Sequence, residues 1–192
     1  MVGILALQGD FYKHRSILNT IGVESIYVKT KSDLEKTRAL IIPGGESTTL
    51  SKLIERFSLR EPLVRFSEKY SIMGTCAGMI MLSSSYGNSV QKGVNLLNIM
   101  DFSILRNAWG SQIDSFEQKI SLKEFGINEL NAIFIRAPKV NEIGKKIVKV
   151  GYFDKNPVIV EDNLHLAMSF HPELDNDSRL YKYFLNKNYY ET

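Results

Sequence analysis

The residue with the most chemical potential in this sequence is a cysteine flanked by small residues. A short apolar run, Ser71-Ile72-Met73, leads into Gly74-Thr75-Cys76-Ala77-Gly78, and Ala77–Leu82 reads as a buried helix. Cys76 is the chain's single cysteine, so neither a disulfide framework nor a multi-cysteine metal site is available to it. It is either a small buried hydrophobe or a reactive thiol. The pattern of strand, small-residue turn and helix favours the nucleophile. Gly74, Ala77 and Gly78 permit a sharp turn that larger side chains would block. A helix N-terminus beneath the sulfur favours the thiolate. The Ala77 N–H then points at a carbonyl under attack and is one expected oxyanion donor.

A nucleophilic thiol needs a base, and the sequence holds three histidines. His14 lies on a helical pattern and His165 in a strand pattern, and both read as structural or surface residues. His171 directly follows a strand pattern, in Phe170-His171-Pro172-Glu173. Pro172 biases His171 towards extended backbone, in which residues i and i+2 face the same side. Glu173 is therefore expected behind the imidazole, orienting it and stabilising its protonated form.

A third element, Pro43-Gly44-Gly45-Glu46-Ser47, also sits between a strand and a helix. Adjacent glycines let backbone N–H groups approach a ligand, as an oxyanion hole or carboxylate nest requires. No Gly-Lys-Ser/Thr follows, so this is not a P-loop. Arg106 and Arg136 each follow an apolar strand and could grip a carboxylate with a forked guanidinium, or simply lie on the surface.

The elements that must position these groups can be read from periodicity. Val2–Leu7, Ser25–Lys29, Ala39–Ile42 and Ser71–Met73 read as short buried strands. Between them run helical patterns: Phe11, His14, Leu18 and Ile21, then Leu50, Leu53, Ile54 and Phe57, with Ser47 or Thr48 as N-cap. This alternation predicts a mostly parallel α/β sheet with helices on both faces. The second half instead carries strand patterns at Asp101–Leu105, Ser115–Ile120, Ala132–Ile135, Lys146–Phe153, Val158–Glu161 and Leu164–Ser169. These are expected to add antiparallel strands or a side sheet, and a last helix capped by Asp177 carries Leu180, Tyr183 and Phe184. In such sheets, sites gather beyond the carboxyl ends of the strands, where the glycine pair, Cys76 and His171 would meet.

At 192 residues, 44% apolar and 23% charged, one globular domain spanning 1–192 is expected. The net charge of +3 is scattered, which argues against a nucleic-acid surface. No apolar run approaches the roughly 18 residues of a membrane span, and the N-terminus lacks a signal-peptide pattern, so a cytoplasmic protein is expected. No metal constellation is evident, and no metal or cofactor is expected.

The motifs P-G-G-E-S, G-T-C-A-G and H-P-E, in this order, resemble class I (triad) glutamine amidotransferases, which implies a single domain with a flavodoxin-like α/β fold. The resemblance is closer to the family of glutaminase subunits of pyridoxal 5′-phosphate synthase. It rests on L-A-L-Q-G-D, P-G-G-E-S-T-T, R-N-A-W-G-S-Q-x-D-S-F-E and F-I-R-A-P, and covers essentially the whole chain. It implies Cys76 as nucleophile, His171 as general base and acid, Glu173 as the residue orienting it, and Gly45 and Ala77 as oxyanion donors. Gly44, Gly45, Glu46, Arg106, Ile135 and Arg136 match glutamine-binding positions, and Gln8 matches a position at the contact with the synthase subunit. The implied reaction hydrolyses L-glutamine to glutamate and ammonia, which passes to a synthase partner that builds pyridoxal phosphate; that compound is a product, with no role as cofactor here. Ser111 and Trp109 depart from the family pattern, which usually has Arg and Phe there, and this bears on the pocket rim or partner contact. Other readings are a glutaminase subunit serving imidazole glycerol phosphate or anthranilate synthesis, a γ-glutamyl hydrolase, or a binding module with a vestigial triad.

Overall fold

The computed structural model of the chain describes residues 1–87, 93–105 and 115–188, with backbone alone at 187 and 188. Its centre is a seven-stranded sheet built from β1 (Val2–Leu5), β2 (Ser25–Val28), β3 (Ala39–Ile42), β4 (Ser71–Thr75), β10 (Lys149–Phe153), β11 (Asn156–Glu161) and β12 (Leu166–Met168). The spatial order is β10-β11-β12-β4-β3-β1-β2. β12, β4, β3, β1 and β2 run parallel, and β11 and β10 join antiparallel. Strands β5 (Ser83–Tyr86), β6 (Met100–Leu105) and β9 (Lys139–Ile143) form a three-stranded side sheet, and β7 (Ser115–Leu122) pairs with β8 (Ile127–Ile135) as an antiparallel hairpin.

Continuous apolar strands reflect burial on both faces. Val2, Ile4, Ala39, Ile41, Met73, Leu166 and Met168 point into one core, with α1 (Phe11–Thr20), α6 (Arg179–Asn188) and the β7–β8 hairpin over it. Leu5, Leu40, Ile42, Ile72 and Ala167 point into the other. There α3 (Ser47–Arg56), α4 (Arg60–Ser67), α5 (Ala77–Leu82) and the side sheet cover the strands. The alternation of side chains along each strand thus divides one apolar run between two cores.

The expected mostly parallel sheet with antiparallel additions in the second half is what forms. Several boundaries differ. β1 stops at Leu5, and β4 extends past Met73 because Gly74 and Thr75 still pair with Ile42 and Met168. Lys146–Phe153 is a strand only from Lys149, since Ile147 N–H closes a turn on Gly144 O at 3.2 Å. Glu46, rather than Ser47 or Thr48, caps α3; a carboxylate reaches two backbone donors where a hydroxyl reaches one. β5, β9 and the one-turn α2 (Lys31–Leu34) lie where no strong period marked an element. Asp177 does hold the start of α6, accepting from Arg179 N–H at 2.8 Å. Among the described residues, no helix is long and apolar enough to cross a membrane.

One aromatic cluster ties the hairpin to the sheet. The Phe134 ring stacks on Phe116 with centroids 4.6 Å apart and meets Phe153 and Phe170 at 5.8 and 5.6 Å. Phe170 is the residue before His171, so this packing also anchors a candidate site residue. Phe134→Ala is expected to cost about 3–5 kcal/mol, as for other fully buried Phe residues, read as a lowered urea midpoint. A loss under about 1 kcal/mol would show that the cluster can close over the gap.

Candidate active site

The parallel strands bring their carboxyl ends to one edge. Gln8 follows β1, Pro43–Glu46 follows β3, Cys76 follows β4, and His171 follows β12. Because β12, β4, β3 and β1 are successive neighbours, these segments lie side by side. The last rung of the β12–β4 ladder is the Cys76 N–H donating to Met168 O at 2.9 Å, three residues before His171.

Cys76 stands at the turn itself, with φ 47° and ψ −103°. A non-glycine residue at positive φ is strained, and a nucleophile held on such an elbow is lifted clear of the sheet. Small neighbours make the turn feasible. A Cβ on Gly78 would lie 2.0 Å from Ile42 O, so only glycine lets α5 start this close to β3. Gly44 is equally confined: a Cβ there would lie 2.4 Å from His171 Cε1 and 3.2 Å from Cys76 Cβ. The glycine loop therefore packs closely against the imidazole and beside Cys76.

His171 is nearly buried, its backbone N–H donating to Ile133 O at 2.8 Å and its Nδ1 2.7 Å from Glu173 Oε1. The pairing expected from the sequence forms, by a different geometry. Pro172–Leu174 is a turn of 3₁₀ helix, so Glu173 reaches the ring from a tight turn rather than along an extended strand. Burial disfavours the charged imidazole, but hydrogen bonds to Cys76 and Glu173, with the negative charge of both, outweigh it and push His171 up to about 10. Glu173, fully buried, is held below the usual carboxylate range: burial opposes its ionisation, and the attraction of nearby His14 together with the hydrogen bond and charge of His171 prevails.

Other expected site residues fall at this edge. Ile135 O lies 3.7 Å from Cys76 Sγ, within reach of a weak S–H donor, and the Ile135 side chain is 36% exposed. Arg136 follows at φ 42° with its side chain exposed. Ala77 is the first residue of α5, and Gly45 has φ 140°, a conformation that suits glycine. Glu46 turns its carboxylate back onto α3, accepting from Thr48 N–H at 2.9 Å and Thr49 N–H at 2.7 Å. Burial alone would raise this carboxyl, but those bonds and the threonine hydroxyls draw it down to about 2. Gln8 braces the same loop: its Nε2 donates to Gly44 O at 3.4 Å, and its Oε1 accepts from Glu46 N–H at 3.0 Å. Arg106, Trp109 and Ser111 lie outside the described residues.

One neighbour of the site read as a structural or surface residue from the sequence. His14, on α1, is fully buried with Nε2 3.5 Å from Glu173 Oε2. Only its apolar-face position, unusual for a histidine, hinted at a buried partner. His165 is structural, its Nδ1 accepting from Ile72 N–H at 3.2 Å.

The fold is that of a glutamine amidotransferase. A crystal structure described as a glutamine amidotransferase superposes with a TM-score of 0.90 at 37% identity, covering 97% of this chain and 98% of the other. A putative GMP synthase subunit from Thermoplasma acidophilum shares the fold at 13% identity, with a TM-score of 0.68 over 99% of this chain and 94% of its own. The chain belongs to the SNO glutamine amidotransferase family, whose model matches residues 4–189. Among its relatives, the pyridoxal 5′-phosphate synthase subunit PdxT of Chloroflexus aurantiacus is 43% identical over 96% of this chain and 98% of its own length. The protein of the same description from Desulforamulus reducens is 41% identical over 96% and 97%.

Two predictions follow the electrostatics. In Cys76→Ala, His171 loses the first of the interactions that raise it, so its titration midpoint should fall well below about 10; NMR of the imidazole Cε1 proton reads this directly. An unchanged midpoint would show that Glu173 alone sets it. The sign for stability follows: a raised histidine stabilises the fold fully below about 6.5, and that contribution drains away as the pH climbs to about 10.

For Glu46 the sign is opposite. Glu46→Ala should cost about 1 kcal/mol at neutral pH, as capping losses do. Its lowered carboxyl stabilises above about 4.5, so the gap between variant and parent should shrink as the pH falls towards 2. Denaturation midpoints across that range check it, and a gap independent of pH would mean that the carboxylate is not the capping group.

Proposed function

We propose that this chain is the glutaminase subunit of a pyridoxal 5′-phosphate synthase, hydrolysing L-glutamine at Cys76 and passing ammonia to the synthase subunit. The observation that carries the chemistry is the line of groups at the strand ends: a strained Cys76, the Gly44 loop packed between it and His171, and Glu173 2.7 Å behind His171. The acceptor is supported by family membership and by PdxT relatives matching over nearly their full length.

In this reading the Cys76 sulfur attacks the side-chain amide carbon of glutamine. The oxyanion is met by the N–H groups of Ala77 and Gly45. A histidine pushed up to about 10 is protonated at neutral pH, so His171 can give a proton to the departing amine as the C–N bond breaks and ammonia leaves. Forming the thioester removes the negative charge from sulfur, and with it a main reason for the raised imidazole. His171 then becomes a base able to take a proton from water, which attacks the thioester and releases glutamate and the thiol. In this reading Gly44, Gly45, Glu46, Ile135 and Arg136 form the glutamine pocket, and Arg106 is the further glutamine-binding position that the family resemblance implies. The Glu46 carboxylate is engaged with α3 and its N–H with Gln8, so Glu46 serves the pocket by fixing the loop that lines it. Gln8, beside the glycine loop, links that loop to the partner contact. A thiol that must stay reduced fits a cytoplasmic setting.

The test is glutamate release from glutamine by the purified chain, with and without the synthase subunit from the same source. Release that depends on the partner, and that falls by several orders of magnitude in Cys76→Ala, is the expected result. Full-rate turnover by the isolated chain, unaffected by the partner, would overturn the acceptor assignment. No release under either condition would overturn the catalytic reading.

A further inference from the structure

Glu173 has two carboxylate oxygens, and the mechanism above uses one. Oε1 receives His171; Oε2 is buried with no hydrogen-bond partner within bonding distance among the described residues. It faces His14 Nε2 at 3.5 Å, and that nitrogen is buried and unbonded as well. The other ring nitrogen of His14, Nδ1, is 2.7 Å from the hydroxyl of Tyr181, which is itself fully buried on α6. The chain thus continues past Glu173 through His14 to Tyr181, across residues from α1, α6 and the turn after β12.

The proton positions follow from chemistry. Burial pushes the Tyr181 phenol well above its ordinary value, so it keeps its hydrogen and has one O–H to give. Burial also lowers His14, reinforced by the charge of His171 and opposed by Glu173 and by Asp10 beside the start of α1, so His14 is neutral. A neutral imidazole accepts at one nitrogen and donates at the other. If Tyr181 donates to Nδ1, the ring hydrogen is on Nε2, aimed at Glu173 Oε2. The reverse tautomer would set a lone pair against a carboxylate in a buried site, which costs far more than it would in water.

We propose that His14 is a positioning residue for the catalytic carboxylate: its Nε2–H, fixed by Tyr181, holds Glu173 ionised and in the one orientation that serves His171. His14 touches neither substrate nor thiol and acts through Glu173. The inference rests on the glutaminase reading and goes beyond its triad.

The experiment measures glutamine turnover by the complex with the synthase subunit, across a range of pH, for His14→Leu, His14→Gln and Tyr181→Phe. Leu removes the donor, whereas the side-chain amide of Gln can present an N–H near the Nε2 position. Tyr181→Phe keeps the ring and its packing but frees His14 to adopt the wrong tautomer. In His14→Leu and Tyr181→Phe, kcat should fall about tenfold or more, as losses of orienting groups behind a catalytic residue do, with KM for glutamine within about twofold. The acid limb of kcat against pH should move up, because Glu173 then takes a proton more readily, and the basic limb should move down because a carboxylate no longer held in place stabilises the His171 imidazolium less. His14→Gln should restore most of kcat. If His14→Leu fails to fold, Tyr181→Phe decides the matter, since it deletes one oxygen. Wild-type kcat and unshifted limbs in Tyr181→Phe would overturn the proposal. A wild-type complex that releases no glutamate would instead overturn the glutaminase reading beneath it.

Discussion

The parallel pairing of β12 with β4, closed by the bond from Cys76 N–H to Met168 O, is the constraint on which the site depends. The bond sets the distance from the thiol to the loop that carries His171 and Glu173. Register is what holds it. Leu166 and Met168 face one core and Ala167 the other. A one-residue slip would drive Met168 into the space that Ala167 fills and exchange the faces of the whole strand. The hydrophobic pattern of a three-residue strand therefore decides where a base sits relative to a nucleophile. β3, on the other side of β4, places the glycine loop by the same means, through pairs such as Ile42 with Gly74.

Given that register, close approach becomes the next requirement, and it explains the glycines better than turn propensity does. Gly78 is needed because Ile42 O lies where its Cβ would be, and Gly44 because His171 does. The backbone at Cys76 has no such relief and remains at φ 47°, a cost of order 1–3 kcal/mol for a non-glycine residue. Packing on both sides offsets it: α5 is buried along its whole length, and β4 is buried at every position. A strained nucleophile persists here because both elements joined at the strain are fixed by core contacts and cannot relax towards each other.

This division also explains what the sequence could reveal. Features written in local period were legible: the alternating strands and helices of the first half, the small-residue turn at Cys76, the glycine pair, and the pairing of His171 with Glu173. Features that depend on contacts distant in the chain were not. β5 is Ser-Ser-Ser-Tyr and has no apolar period to announce it; it is a strand because β6 lies beside it. The α3 cap followed carboxylate reach rather than the usual preference for Ser or Thr. His14 read as a structural helix residue because its partners, Tyr181 and Glu173, stand more than 150 positions away in the chain. The Glu173 geometry was right in outcome and wrong in route, since two residues of separation bring side chains together in a 3₁₀ turn as well as in a strand.

The same carboxylate stands between two imidazoles and leaves them in different states, and burial alone does not account for it. Both rings are removed from water, which disfavours charge on each. His171 also has Cys76 beside it, and the interactions with that sulfur and with Glu173 together favour the imidazolium. His14 has Glu173 at a longer distance, and on its far side a phenol that stays protonated and supplies no charge. Protonating His14 would also place a second cation near His171, with one carboxylate to serve both. The asymmetry is useful: a charged ring next to the sulfur can transfer a proton, while a neutral ring behind the carboxylate can orient it without competing for that proton. One buried negative charge can then support proton transfer on one side and be fixed in place from the other.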